Sequence, residues 1–414
     1  MSVSRSRYRC VCIRSVRFSP TSPNRRDNIA LDSSQLLDEV MMNSRCRSLI
    51  HLIAIVAAPI VLSACVDDDT TPVETRYRTA VQEVMARYHL PGALVSVRVP
   101  NESEWKEAFG YANLESRTPL DVRSHFPIRS ITKSYTVTLI LQLVRDKVLR
   151  LDDKLASFIP GIPNGELITI ADLAGMQSGI ADYSANPDFG AVFGANFAHV
   201  FTEQELIAYA IPGSPRFLPG AAYEYSNTNT VLLGMIVEKV TGTPMAAAVQ
   251  SRILSPLALA GTAYPSAVAV PEPHATPYDV TITTGETEVL PLISPTSLAG
   301  AGAMVSTLDD LQTWAQALGD GRLIGADLQN ERINRSRPVT NGPEYDSYGL
   351  GIGNLKGWWG HTGSGIGWQL ATFYDPRSGA TIAISVNATP SGGRRDLNLA
   401  QELFEALADV VATR

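Results

Sequence analysis

From Ile131 to Val148 the chain is apolar on nearly every face of a helix. That leaves no side for solvent and commits the segment to the interior of whatever fold forms. Its approach reads Phe126-Pro-Ile-Arg-Ser130-Ile-Thr-Lys133-Ser-Tyr. Ser130 is therefore expected at the helix start, where free backbone N–H groups favour developing negative charge. Lys133 follows at i+3 on the same face, an amine beside a hydroxyl. A serine becomes a nucleophile when a base takes its proton, and a desolvated lysine is such a base. The plain alternative is that Ser130 caps the helix and Lys133 solvates its first turn. A second match, Ser103-Glu-Trp-Lys106, is weaker. There Trp105, Phe109 and Tyr111 alternate as in a strand, which sends its serine and lysine to opposite faces.

A chain of 414 residues, 45% hydrophobic and 18% charged, can bury a large core in one or two domains. The net charge of −7 is uneven: residues 1–64 carry nine Arg against Asp27, Asp32, Asp38 and Glu39, or +5, which leaves −12 for the rest. An acidic body disfavours nucleic acid as a partner. All four cysteines (Cys10, Cys12, Cys46, Cys65) lie at or before residue 65, so disulfides and thiolate metal sites are excluded downstream. The six histidines form no His-x-x-x-His pair and no Gly-x-x-x-x-Gly-Lys loop occurs. No metal or other cofactor is expected.

Met41-Met-Asn-Ser-Arg45-Cys-Arg47 reads as a basic n-region, Leu49 to Val61 as an apolar h-region, and Leu62-Ser-Ala-Cys65 closes it. That is the shape of a secretory signal, too short and too interrupted by His51 and Pro59 for a comfortable membrane span. Leu-Ser-Ala-Cys resembles a bacterial lipobox, which makes Cys65 the lipidated residue and residues 65–72 a polar tether. An uncleaved anchor, or an ordinary signal peptide with a chance cysteine, is the alternative. Residues 1–40 read as a transit peptide or, more simply, as an extension from a mis-assigned start. The protein is thus expected outside the cytoplasm, lipid-anchored to a bacterial membrane through Cys65.

In the body, Tyr77, Val81, Val84, Met85 and Tyr88 mark a first amphipathic helix ending at Pro91-Gly92. Ala93 to Val99 and Glu104 to Tyr111 read as strands. Helical patterns dominate from Leu151 to about residue 265, punctuated by Pro-Gly pairs. Strand signals return at Tyr348 to Gly353, Gly357 to His361, Trp368 to Tyr374 and Ala380 to Asn387, and Leu399 to Val411 marks a final helix. One sheet built from both ends of the chain is expected (residues 73–150 and 270–414), with a helical lobe (151–269) inserted between and a cleft where they meet.

Two more stretches carry chemistry. Tyr225-Ser-Asn227 places a phenol and a carboxamide just before an apolar helix; a tyrosine there shuttles protons and an asparagine orients a lysine or a substrate amide. Turn and cap chemistry is the alternative. In Gly360-His361-Thr362-Gly363-Ser364 the glycines let a strand edge approach a ligand and the hydroxyls bind a carboxylate or carbonyl. A glycine-rich turn is the alternative.

In this order and with these flanks, Ser-x-x-Lys, Tyr-x-Asn and His-Thr-Gly resemble the three motifs of the penicillin-recognising serine hydrolases, which include β-lactamases, D-alanyl-D-alanine carboxypeptidases and related esterases. The resemblance runs from about Val73 to the C-terminal helix. It is greatest to the soluble D-alanyl-D-alanine carboxypeptidases, whose third motif is also His-Thr-Gly. It implies an α+β fold of the β-lactamase/DD-peptidase type, an antiparallel sheet flanked by N- and C-terminal helices with an inserted all-helical lobe. It implies Ser130 as nucleophile, Lys133 as base and Tyr225 as proton relay. Asn227 would orient Lys133 and the substrate amide, His361, Thr362, Gly363 and Ser364 would line the opposite wall, and the N–H groups of Ser130 and Ser364 would form the oxyanion hole. No Gly-x-Ser-x-Gly elbow competes. The expected activity is carboxypeptidase action on peptidoglycan stem peptides; an esterase, a D-aminopeptidase, a weak β-lactamase or a penicillin-binding scaffold without turnover are the alternatives. One departure stands out: the family's carboxylate-gripping arginine, after Tyr-Gly-Leu-Gly-x, is Gly353 here, and Lys356 is the nearest cation in the sequence.

Overall fold

The computed structural model describes residues 71–339, 345–391 and 397–414. The leader, Cys65 and most of the tether lie outside them.

Nine strands form one antiparallel sheet: β1 (Gly92–Arg98), β2 (Trp105–Asn113), β3 (Thr118–Pro119), β4 (Arg337–Pro338), β5 (Ser347–Tyr348), β6 (Gly353–Leu355), β7 (Trp358–Gly365), β8 (Trp368–Tyr374) and β9 (Thr381–Val386). Their spatial order is β3-β2-β1-β9-β8-β7-β6-β5-β4. The first and last parts of the chain therefore meet at the β1–β9 pair, in the register Val95 opposite Ile384.

Both faces of this seam are covered, which is why its strands read as continuous apolar runs. Ala93, Val95, Val97, Ile382 and Ile384 pack beneath α1 (Val73–Tyr88) and the C-terminal helix Leu399–Ala412, against Val81, Leu403, Phe404 and Leu407. Leu94, Leu370 and Ala383 face the other way, into a core shared with α2 (Thr132–Arg145), α3 (Asn227–Thr241) and α4 (Leu308–Asp320). Counting along the chain, Leu399–Ala412 is α5. Every residue of α2 from Thr132 to Leu143 is buried, the polar Thr132, Lys133, Ser134, Thr136, Thr138 and Gln142 included. The helix stops short of Val148: Lys147 turns left-handed at φ 61° and Val148 is exposed.

The strand reading of Tyr348 to Gly353 needs correction. Gly349 N–H donates to the Ile352 carbonyl and Gly351 lies at φ 65°, so a tight turn separates β5 from β6. A Cβ on Gly351 would sit 2.5 Å from Val137 Cβ, so the turn packs directly on α2. In β2 the alternation fails at Tyr111: Gly110 at φ 71° and a register shift put Ala112 inside and leave Tyr111 40% exposed. A second sheet, Tyr278–Val280 with Thr287–Val289 and Ala388–Pro390, gives strand runs too short for a periodic signal.

Candidate active site

Ser130 lies in a 3₁₀ turn, Arg129–Ile131, that leads into α2. It is partly exposed while residues 126–129 and 131–143 are buried, so one hydroxyl is presented from an otherwise closed element. One helical turn on, Lys133 is fully buried. Its Nζ lies 3.0 Å from Ser130 Oγ and donates to the Ala301 carbonyl at 2.8 Å. Burial pushes the Lys133 amine down to about 7, against an opposing pull from Asp182. A neutral amine with one N–H pinned to a carbonyl can aim its lone pair at the serine hydroxyl. The decoy does none of this: Lys106 is exposed and ion-paired with Asp309.

Tyr225 stands over the same amine, its ring centroid 5.0 Å from Lys133 Nζ. Burial pushes its phenol well above the usual value, and the Ser130 side chain pulls the other way. Its Oη is buried without a closed hydrogen bond among the described residues, so the phenol is held neutral beside the serine.

Asn227 begins α3 but makes no hydrogen bond to Lys133, so the structure does not show it orienting the lysine. Its Nδ2 donates instead to Asp182 Oδ2 at 2.9 Å and to Ser184 Oγ at 3.2 Å. The Ala301 carbonyl takes over the lysine. Asp182 has no distinctive spacing to either motif, and only its place as cap of the turn Tyr183–Ala185 marks it.

The third motif forms a strand, not a turn. His361 to Ser364 lie within β7, beyond the last residue paired with β6. Thr362 N–H donates to Tyr345 Oη at 2.7 Å, so it points away from β8. By the two-residue period of a strand, the Ser364 N–H points the same way. A Cβ on Gly363 would sit 2.5 Å from the Ile128 carbonyl, which brings the strand against the segment that leads into the Ser130 turn. Ser130 and Ser364 belong to the two segments that meet there.

His361 is fully buried, and burial first, then the Lys133 charge, pushes it down to about 3. It is neutral at physiological pH. Its Nδ1 meets the Thr362 carbonyl at 2.6 Å, an acceptor only, so Nδ1 carries the proton and Nε2 accepts from Tyr348 Oη at 3.0 Å.

Two cations are already committed. Lys356 bonds Glu405 of α5 at 2.6 Å. Arg129, which the motif reading passed over, is buried at φ 50° and donates from Nε to the Gly365 carbonyl at 2.9 Å and from Nη2 to the Ile366 carbonyl at 3.0 Å. Where the family's arginine would stand, a Cβ on Gly353 would lie 2.6 Å from Cδ1 and Cε1 of Tyr345. The Tyr345 ring fills that wall, and its Oη lies 2.7 Å from Thr362 Oγ1. No group of three or more His, Cys, Asp or Glu side chains fit to hold a metal occurs among the described residues.

Residues 77–406 match the family model described as Beta-lactamase. The fold is similar to that of a D-stereospecific amidohydrolase from a Streptomyces species (32% identical, TM-score 0.69, covering 81% of this chain and 98% of that one). It is also similar to D-amino acid amidase from Ochrobactrum anthropi SV3 (24% identical, TM-score 0.74, 83% and 99%). The D-aminopeptidase of Brucella anthropi is 28% identical over 302 residues, 71% of this chain and 55% of that protein. The chain spans about half the length of the curated relatives it matches.

Proposed function

Because the chain belongs to the beta-lactamase family of serine hydrolases, we propose that it hydrolyses amides of D-amino acids, releasing ammonia or a short amine through an acyl-enzyme. The observation that carries this reading is the Tyr345 ring in the wall at Gly353. A free carboxylate entering a desolvated cleft needs a cation or several donors, and that wall offers a neutral phenol. A primary amide needs no such grip. The D-stereospecific amidohydrolase at 32% identity and the D-aminopeptidase at 28% support the same substrate class over the carboxypeptidase one.

In the proposed mechanism Ser130 Oγ attacks the amide carbonyl while its proton passes to Lys133 Nζ. The oxyanion is met by the N–H groups of Ser130 and Ser364. The C–N bond breaks as Tyr225 passes a proton to the departing nitrogen and is resupplied by Lys133. Water then attacks the ester, gives its proton to Lys133, and releases the acid as Ser130 regains its hydrogen. An amine titrating near 7 holds a large free-base fraction at neutral pH, which favours turnover over the alternative of an inert penicillin-binding scaffold.

The test is kcat/KM for D-alanine amide beside D-alanyl-D-alanine, with fluorophosphonate labelling to locate the nucleophile. Preference for the amide by tenfold or more, label on Ser130 and loss of both in Ser130→Ala are expected. Preference for the dipeptide acid would return the carboxypeptidase reading.

A further inference from the structure

We infer that Asp182 and Asn227 together form the acceptor for a substrate α-ammonium, so that this site selects amides whose amino group is free. The inference rests on the amidase reading and names its substrate more narrowly. It starts from the hydrogen bonds of one side chain. Asn227 gives both its backbone N–H (3.2 Å) and its Nδ2 (2.9 Å) to Asp182 Oδ2. A carboxylate can only accept, so the end of the amide facing Asp182 is its NH₂. The opposite end is then the carbonyl oxygen Oδ1, and no group among the described residues donates to it. Asp182 cannot swing away to free the amide: its Oδ1 accepts from Ser184 N–H and Ser184 Oγ, each at 2.9 Å.

Two consequences follow for a ligand. An amide whose N–H groups are bound to an anion has a more negative oxygen, so Asn227 Oδ1 is a strengthened acceptor. The carboxylate behind it adds a net negative charge, close enough to act on both Lys133 and Tyr225. An ammonium gains from both. An N-acyl group gains from neither fully, because its carbonyl looks for a donor and the Asn227 NH₂ is already taken. The asparagine that a Tyr-x-Asn motif offers to a substrate carbonyl is turned here to receive a donor instead.

The experiment compares kcat/KM for D-alanine amide and N-acetyl-D-alanine amide across pH. The shared base Lys133 cancels in this ratio. At pH 6.5 the ratio is expected at about ten- to a hundredfold in favour of the free amine, the scale of a charge-assisted contact. It should fall at least about tenfold as the substrate amine loses its proton, which occurs near pH 8. Asp182→Asn keeps an acceptor for Asn227 but removes the charge, and should lower the pH 6.5 ratio about tenfold. Fluorophosphonate labelling of this variant at Ser130 reports whether it folds; if it does not, the wild-type pH profile decides alone. A ratio flat in pH, or one unmoved in folded Asp182→Asn, overturns the inference and leaves the amidase reading standing. Failure to cleave either amide alongside turnover of D-alanyl-D-alanine overturns both.

Discussion

Gly353 shows how much one missing side chain can decide. The hydrogen in place of Cβ admits the Tyr345 ring to the cleft wall, and Tyr345 Oη then engages both the N–H and the Oγ1 of Thr362. Even a methyl group at Gly353 would have to displace that ring. Overpacking of this kind costs roughly 1–3 kcal/mol. Gly353→Ala should therefore lower the melting temperature by several degrees in calorimetry, and Gly353→Arg should lower it further without creating a carboxylate grip. An unchanged melting temperature in Gly353→Ala would mean the ring yields freely and the wall is soft. The missing arginine was legible in the sequence from the Tyr348-Gly-Leu-Gly spacing. The ring that replaces it was not, because Tyr345 lies eight positions earlier and only the fold brings it across. The neutrality of His361 escapes the sequence for the same reason: it comes from burial, which no local pattern reports.

Ser130, the proposed nucleophile, belongs to a short turn, and a turn needs anchoring to hold an atom still. Arg129 supplies the anchor by tying that turn to the β7–β8 connection through two carbonyls, at Gly365 and Ile366. It does so from a backbone conformation at φ 50° that costs a non-glycine residue of order 1 kcal/mol. The tie spans the two elements proposed to carry the oxyanion donors, so it sets their spacing. Arg129→Lys keeps a charge but loses the planar fork. We expect kcat to fall about ten- to a hundredfold with KM little changed, the signature of a misplaced donor pair. A rise in KM with kcat intact would assign Arg129 to substrate binding instead. The elements themselves were largely readable: β8 was placed residue for residue, and α1, β1, β9 and α5 within a few positions, because alternation and helical spacing are strong there. What escaped was long-range: Arg129 to Gly365, Asn227 to Asp182, Lys133 to Ala301.

At the scale of the whole molecule, the sheet closes only when its early strands, Gly92–Asn113, meet the late ones, and the candidate site is assembled from segments more than 200 residues apart. Such a molecule carries the cost of its buried bases as a global property. The Lys133 amine titrates near 7 in the fold against an ordinary 10.5. Between those values the unfolded chain holds a proton there that the folded chain does not, so stability must rise with pH across that window. Below about pH 7 both forms are protonated and the penalty is constant. The many buried tyrosines, pushed upward by burial, act oppositely: above about pH 10 only the unfolded chain ionises them, and stability falls. The melting temperature should therefore climb from pH 7 to about 10 and then drop. Lys133→Met removes the titrating group while keeping much of its volume. It should remove most of the climb and raise stability at pH 7 by roughly 1–3 kcal/mol, the proton penalty less the cost of leaving the Ala301 carbonyl unpaired, while abolishing turnover. The measurement is calorimetry of both proteins from pH 6 to 11. Parallel curves would mean that the amine is protonated in the folded state, and Lys133 could not then serve as the base.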